Sequence, residues 1–292
     1  MNSRNSRDFA ARPQSVADAD RDIRLFLIRI AAVMGEVLGA RLIGVYVYGS
    51  LAQGSYRRDH SDIDVLAVVA ATLDPTLRAS LARALLALSD GRPTPGDIEV
   101  TVITEKTART FEYPTPYEVQ YSSAWHDAIR DRLIDFGAQR IDRDLATGLM
   151  DVRSRGARLI GPEPATLFGP IPWYAFINSV EHDFDWAGEH VAEQPVYAVL
   201  SACRALHATT HRSIDVVSKE EAGRWARAQV PSGLRPLIDE ALEVRAGLMP
   251  TISAQRAARI GALRTHVLDY AQNAFERARD DDEEPVEEAI DQ

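Results

Sequence analysis

The stretch YGSLAQG at residues 48–54, followed by SDIDVLAV at residues 61–68, decides the fold of this chain. Residues 42–48, directly before Gly49, are mostly β-branched, aromatic or aliphatic, which is typical of a strand. A glycine after a strand lets the backbone approach another group closely, and backbone N–H groups there can face an anion. The first segment therefore predicts a strand that leads into a phosphate-binding turn at Gly49 and Ser50.

Two aspartates, Asp62 and Asp64, stand at the start of a second predicted strand, residues 63–69. Because side chains alternate along a strand, both carboxylates are expected on one face. Adjacent carboxylates repel each other, and a hard cation such as Mg²⁺ that also binds a triphosphate relieves this repulsion. An isolated pair of this kind often marks only a solvated strand start. The glycine turn just before it favours a metal site, so Asp62 and Asp64 are the predicted Mg²⁺ ligands.

A third predicted strand, residues 98–103, supplies a third carboxylate. In the sequence DIEVTV the apolar residues alternate with Asp97, Glu99 and Thr101, which share one face. If this strand lies beside that of Asp64, one of its two acids completes a triad. Alternation alone allows either acid. Glu99 lies inside the strand whereas Asp97 is at its start, so we expect Glu99 to be the better-held general base.

The pattern along the chain changes once. Helical and strand patterns mix up to the sequence YPTP at residues 113–116, after which the strand patterns stop. Amphipathic helices are predicted from there to the end, at 142–157, 174–190, 196–211, 218–229, 233–247 and 254–279. The chain should therefore have an α+β fold in which a small mixed sheet with helices precedes an α-helical bundle. The predicted limits are a disordered N-terminus at 1–16, the first domain at 17–158, the helical domain at 159–279 and a disordered acidic tail at 280–292.

Composition narrows the classes of function. A chain of 292 residues with 46% hydrophobic residues can bury two ordinary cores. It has no apolar run of about 18 residues and no signal-peptide pattern, so we expect a cytoplasmic protein with no membrane partner. A net charge of -10 disfavours nucleic acid, since that binding depends on Lys and Arg. The single cysteine, Cys203, is expected to be a buried helix residue. We expect a monomer.

Together these residues resemble the polymerase-β-like nucleotidyltransferases, whose pattern is Gly-Ser, a variable loop and then Asp-x-Asp. More narrowly, the chain resembles the aminoglycoside 3''-adenylyltransferases, which inactivate streptomycin and spectinomycin. This narrower resemblance extends from about Val45 to Gly247. It rests on the motifs GSLAQG, SDIDVLAVV, IEVTVI, YPTPYEVQYSSAW, LIGPEPATLFGPIPW, SKEEAGRWA and RPLIDEAL, in that order.

The resemblance implies a polymerase-β-like nucleotidyltransferase domain followed by a helical bundle. It implies Mg²⁺-dependent transfer of AMP from ATP to a hydroxyl of an aminoglycoside, with release of pyrophosphate. Carried over by position, the implied roles are nucleotide binding for Gly49, Ser50, Ser61 and Lys219, metal binding for Asp62 and Asp64, general base for Glu99 and drug contact for Trp125. The plainer alternatives are a surface lysine at Lys219 and interdomain core at Trp125.

The match departs from the family pattern where the drug should bind. The family places acidic and aromatic residues before the helix that contains Arg204. Here that region holds Asp183, Asp185, Trp186, Glu189 and Glu193. Trp186 and Glu193 are the predicted drug contacts, Glu193 because a family aspartate falls on Gln194. A family tyrosine near the nucleotide falls on Arg245. These departures affect drug specificity more than adenylyl transfer.

Two alternative functions stay open at this point. One is a nucleotidyltransferase that acts on a protein side chain or another metabolite. The other is a catalytically silent nucleotide-binding regulatory module. The intact set of Asp62, Asp64 and Glu99 counts against the silent module.

Overall fold

The computed structural model of the protein describes residues 13–211 and 216–283. The strands are β1 (Leu42–Tyr48), β2 (Ile63–Val69), β3 (Ile98–Thr104), β4 (Thr115–Tyr117), β5 (Val119–Tyr121), β6 (Arg140–Asp142) and β7 (Ala157–Ile160). The α-helices are α1 (Arg21–Leu38), α2 (Gly49–Ala52), α3 (Pro75–Ser89), α4 (Glu105–Arg109), α5 (His126–Arg130), α6 (Leu145–Arg155), α7 (Pro164–Leu167), α8 (Trp173–Glu189), α9 (Pro195–His211), α10 (Lys219–Gln229), α11 (Arg235–Arg245), α12 (Ala254–Ala257) and α13 (Ile260–Glu283). Within the described ranges, no helix is long and apolar enough to cross a membrane.

A five-stranded sheet in the order β5-β3-β2-β1-β7 forms the centre of the N-terminal part. β2 and β3 are parallel, and the other pairs of neighbouring strands are antiparallel. Helices α1 and α3 pack on each other, and their apolar residues join those of the strands in one hydrophobic core. β1 and β2 have the predicted bounds and β3 is one residue longer. The α+β fold class is confirmed.

Four short strands were not predicted. β4, β5, β6 and β7 have three or four residues each, too few for an alternating pattern to show. The prediction that strands stop after residue 116 is therefore wrong. The helix predicted at 142–157 includes the first residue of β7, but α6 stops before Gly156. A Cβ at Gly156 would lie 2.4 Å from the carbonyl oxygen of Val152, so the glycine allows the chain to leave the helix there.

The C-terminal part is helical, as predicted. Helix α9 packs against α8, α10, α11 and α13, so it lies at the centre of the bundle. Small and apolar residues along α9, from Ala198 to Leu206, are largely buried for this reason. Cys203 is among them, and burial raises the pKa of its thiol to about 12. Cys203 is thus the buried helix residue that was expected.

The chain divides into two compact units. The first unit runs to Pro170 and includes Ala246–Leu248, and the second comprises Ile171–Arg245 and the residues from Met249 onward. The predicted domain boundary after residue 158 would cut β7, whose pairing with β1 keeps it in the first unit.

Parts of the two predicted disordered termini are structured. Gln14 forms an isolated β-bridge with Tyr56, and residues 280–283 continue α13. The rest of the predicted disordered termini, 1–12 and 284–292, lies outside the described residues.

Candidate functional site

Asp64 on β2 and Glu99 on β3 lie near the N-terminal ends of two interior strands of the sheet. The two strands are parallel neighbours, and their register places Asp64 opposite Glu99. Residues in register on adjacent strands point to the same face, so these two side chains share one face. The expected adjacency of the two acidic strands is confirmed.

Asp62 and Asp97 precede the same two strands and are tied to each other. The Asp97 N–H donates to Oδ1 of Asp62 over 2.7 Å. The Asp97 carboxylate itself accepts hydrogen bonds from the N–H groups of Ile98, at 2.8 Å, and Ser123. Asp97 is therefore engaged with the protein's own backbone, whereas Glu99 is exposed. Alternation left both acids as candidates, and these hydrogen bonds count against Asp97 as the base.

Gly49 lies directly against Asp64. It has a φ of +65°, a backbone conformation that favours glycine, and a Cβ there would lie 2.0 Å from Oδ2 of Asp64. Its N–H donates to Oδ2 of Asp151, which lies on α6, over 2.7 Å. The Gly49 amide is thus satisfied within the protein, and the glycine provides close approach between the turn and the carboxylate.

The pKa of Tyr48 is affected by the acidic residues around it. Burial of the ring, together with the carboxylates of Asp64, Glu99, Asp142 and Asp151, raises the pKa of its phenol well above 10.0. Four carboxylates close to one side chain form a strongly negative region, which suits a cation or an ammonium group.

The two predicted phosphate-binding serines differ in environment. Ser50 is partly exposed in the turn that follows Gly49. Ser61 is 4% exposed, and its Oγ accepts a hydrogen bond from the Arg57 N–H over 2.9 Å. Ser61 thus closes the loop that precedes Asp62, and its hydroxyl can donate as well as accept.

Trp125 belongs to the first unit. Its ring is partly buried against the hydrophobic core there, and the guanidinium of Arg140 lies 5.5 Å from the ring centre. The adjacent Ser123 N–H is held by Asp97, so the turn that carries Trp125 is linked to the start of β3.

In the second unit, Lys219 lies beside an aromatic ring and an acid. Its Nζ is 3.8 Å from the ring centre of Tyr197. Asp183 accepts hydrogen bonds from Tyr197, Ser201 and Arg204, the last at 2.9 Å. Burial acts to raise the pKa of Asp183, but Arg204 and Lys219, with these hydrogen bonds, hold it below 3.8. Lys219 also begins α10, whose N-terminus is closed by a capping box between Ser218 and Glu221.

The predicted drug contacts are exposed in the second unit. Trp186 is 36% exposed, stacks on His190 at 4.2 Å and meets Tyr197 edge-on at 5.6 Å. Glu193 and Gln194 are exposed in the segment before α9. Of the four acids expected near the drug, Asp185, Glu189 and Glu193 are exposed. Asp183 differs from that expectation because its carboxylate bonds to groups on α9.

Arg245, the position to which the resemblance assigned a family tyrosine, forms an ion pair. Its Nε lies 2.6 Å from Oε1 of Glu220, and both side chains are largely buried. The guanidinium of Arg245 is thus held against Glu220 within the second unit.

The acids fit a magnesium ion that arrives with its nucleotide. Among residues 13–211 and 216–283, no three His, Cys, Asp or Glu side chains are grouped so that they could hold a metal. Magnesium in nucleotide sites usually has one or two carboxylate ligands and takes its other ligands from phosphates and water. Asp62 and Asp64, beside the turn at Gly49, match that set of donors.

Sequence reasoning missed one feature in each unit. Asp151 belongs to no recognisable motif. Its place among the apolar residues Leu149, Met150 and Val152 could nevertheless have indicated a buried acid with a specific partner. The hydrogen bonds that connect Asp183 with Tyr197 and Arg204 link α8 to α9, and no local pattern could have indicated them.

Comparison with known proteins covers both units. Residues 31–108 match the nucleotidyltransferase domain, and residues 166–270 match the C-terminal domain of aminoglycoside adenylyltransferases. An aminoglycoside (3'') (9) adenylyltransferase of Escherichia coli is 30% identical over 244 residues, which cover 79% of this chain and 88% of the relative. A spectinomycin 9-adenylyltransferase of Staphylococcus aureus is 25% identical over 215 residues, covering 73% of this chain and 81% of the relative.

A solved structure has the same fold. The crystal structure of a spectinomycin adenyltransferase from Enterococcus faecialis with ATP and spectinomycin matches with a TM-score of 0.73 and 18% identity, covering 84% of this chain and 98% of that chain. At this identity the likeness establishes the fold. The identity to the Escherichia coli enzyme extends over most of both chains, so this protein belongs to the aminoglycoside adenylyltransferase family.

Proposed function

We propose that this enzyme transfers AMP from ATP to a hydroxyl group of an aminoglycoside-type antibiotic of the streptomycin and spectinomycin class, and releases pyrophosphate. The observation that carries this proposal is the register of β2 and β3, which places Asp64 opposite Glu99 beside the turn at Gly49 and Ser50. A bound triphosphate, a metal and an attacking hydroxyl need these three elements next to one another.

The substrate class is supported by the relatives. The Escherichia coli relative is an aminoglycoside (3'') (9) adenylyltransferase, and the Staphylococcus aureus relative is a spectinomycin 9-adenylyltransferase. The acidic environment of Tyr48 agrees with a substrate that carries ammonium groups, because carboxylates bind such groups by charge-assisted hydrogen bonds.

In the proposed reaction, an oxygen of the drug forms a bond to the α-phosphorus of ATP. The bond between that phosphorus and the oxygen of the departing pyrophosphate breaks. The Glu99 carboxylate accepts the proton of the attacking hydroxyl, a role that its exposed position on β3 permits. Ser50 and Ser61 bind phosphate oxygens in this proposal, and Gly49 lets the turn lie close to Asp64.

Asp62 and Asp64 are the residues that would hold Mg²⁺. When bound, Mg²⁺ neutralises negative charge on the triphosphate and on the departing pyrophosphate. The acidic surroundings of Tyr48 support a bound cation beside these strands, since unneutralised carboxylates repel a triphosphate.

In the second unit we propose that Lys219 binds nucleotide phosphate and that Trp186 and Glu193 contact the drug. The position of Lys219 over the Tyr197 ring supports this, because it fixes the ammonium group in a defined place. Trp125 keeps its proposed contact with the drug from the first unit. Consumption of ATP agrees with the expected cytoplasmic location, and neither a nucleic-acid partner nor an oligomer is required.

The test is incubation of the purified protein with ATP, Mg²⁺ and single aminoglycosides, with pyrophosphate release and the mass of the drug as readouts. We expect pyrophosphate and a drug heavier by one adenylyl group with streptomycin, spectinomycin or both. Asp64→Asn serves as the inactive control. An active enzyme that modifies neither drug would contradict the substrate class, and adenylylation of a protein or another metabolite would support the alternative transferase. Tight ATP binding with no acceptor at all would point to the silent module.

A further inference from the structure

Asp151 is the buried acid on α6. Its neighbours Leu149, Met150 and Val152 are apolar and buried, and Asp151 itself is 3% exposed. Burial of a carboxylate among apolar residues is unfavourable unless hydrogen bonds or charges compensate for the lost hydration. A helix that only had to fill this part of the core would be more stable with an apolar residue at position 151.

The carboxylate of Asp151 bonds to the turn that precedes the metal-binding acids. Its Oδ2 accepts the Gly49 N–H at 2.7 Å, across 102 positions of the chain. A hydrogen bond to a charged acceptor is stronger and better oriented than a neutral one. The bond therefore fixes the peptide plane between Tyr48 and Gly49.

Gly49 is held between two carboxylates. Asp64 lies so close to its Cα that no side chain would fit there, and Asp151 binds its N–H. Because β1 pairs Tyr48 with Asp64, the end of β1 and the start of β2 are already aligned. The Gln53 N–H also donates to the Gly49 carbonyl over 3.0 Å, after the turn has started. Asp151 adds a constraint at the point where the chain leaves β1 towards Ser50.

We propose that Asp151 is a positioning residue for nucleotide binding: through the Gly49 N–H it holds the turn at Gly49 and Ser50 against Asp64. The inference rests on the proposed function, since it assumes that this turn and Asp64 bind Mg²⁺-ATP. Because the turn is already ordered, ATP binding has a smaller entropic cost.

The experiment compares Asp151→Ala, Asp151→Asn and, as a matched control, Asp127→Asn. Asp127 is an exposed acid of the first unit that pairs with Arg130. Each variant is measured for Mg²⁺-ATP affinity by calorimetry, for KM and kcat with ATP and for the free energy of unfolding. Calorimetry needs no acceptor, so failure of this inference can be told apart from failure of the proposed reaction.

We expect Asp151→Ala to weaken Mg²⁺-ATP binding and raise the KM for ATP, on the order of 10-fold to 100-fold, as for a displaced binding group. Asp151→Asn keeps an oxygen that can accept the Gly49 N–H, so it should recover most of this loss. Asp127→Asn should behave as wild type. If Asp151→Ala does not fold, Asp151→Ser replaces it, since its shorter side chain cannot reach the same amide.

Two results would overturn the inference. In the first, Asp151→Ala lowers only the free energy of unfolding, while the folded variant binds Mg²⁺-ATP as wild type does. In the second, Asp151→Asn loses as much ATP affinity as Asp151→Ala, which would mean that the hydrogen bond to Gly49 does not position the turn.

Discussion

The acids of the first unit and those of the second unit are similarly spaced in the sequence, but the structure arranges them differently. In the first unit, Asp64 and Glu99 face one side because two parallel strands are in register. In the second, Asp183 and Glu193 were both expected near a drug, yet Asp183 is bonded to groups on α9 and Glu193 is exposed. Spacing thus translates directly into geometry on paired strands, whereas on helices the neighbouring helix decides which acids stay available.

The largest effect should come from Asp64. Asp64→Asn removes a proposed metal ligand without changing the size of the side chain, so we expect adenylyl transfer to be abolished and Mg²⁺-ATP affinity to fall. Pyrophosphate release and calorimetric titration measure the two quantities. Asp62→Asn should behave alike. Wild-type turnover and affinity in either variant would remove that residue from the site. Such a result would also show that the spacing of acids on the strands of the first unit does not indicate function.

The second effect distinguishes Glu99 on β3 from Asp97, which precedes the strand. Glu99→Gln should keep Mg²⁺-ATP affinity and lower turnover by about 10²-fold to 10⁴-fold, as expected for loss of a general base. Asp97→Asn should lower the free energy of unfolding more than turnover, because its carboxylate holds the N–H groups of Ile98 and Ser123. Single-turnover measurements with saturating ATP test this. The opposite assignment of the two variants would show that Asp97 is the base.

A smaller effect is expected for Lys219 in the second unit. Lys219→Met removes a cation that we propose binds phosphate, which should raise the KM for ATP on the order of 10-fold, the typical value of one charge-assisted hydrogen bond. Arg227→Met is the matched control, because Arg227 lies on the same helix in an exposed pair with Asp239. Equal KM values for both variants would return Lys219 to the class of ordinary surface lysines.

The smallest effect is expected for Asp183, in the way that the free energy of unfolding depends on pH. Since the pKa of Asp183 is held below 3.8 in the folded chain, its ionised form stabilises the fold at pH values above 3.8. This contribution should disappear as the pH falls through the lowered pKa. The free energy of unfolding of wild type should therefore exceed that of Asp183→Asn at pH 7, and the difference should shrink below pH 3.8. A constant difference from pH 7 to the acid range would show that charge on Asp183 does not matter.

Much of the first unit could be predicted from the sequence. β1 and β2 have the predicted bounds because each contains seven residues that are mostly apolar, with Gly49 directly after β1 and Asp62 directly before β2. The short strands β4 to β7 could not be predicted, since three or four residues carry too little pattern. β7 in particular is defined by its pairing with β1, which is distant in the chain.

The sequence by itself determined that Asp62 and Asp64 stand beside a glycine turn, that Asp97 and Glu99 share a face, and that the chain resembles the adenylyltransferases. These are local properties, which follow from the period of two residues along a strand. Only the tertiary structure decided that the Asp97 carboxylate accepts the Ser123 N–H, that the Gly49 N–H bonds to Asp151 and that Asp183 bonds to Arg204. Each of these contacts joins residues that are distant in the chain or on different elements. Their partners are set by packing, which no local pattern of residues encodes.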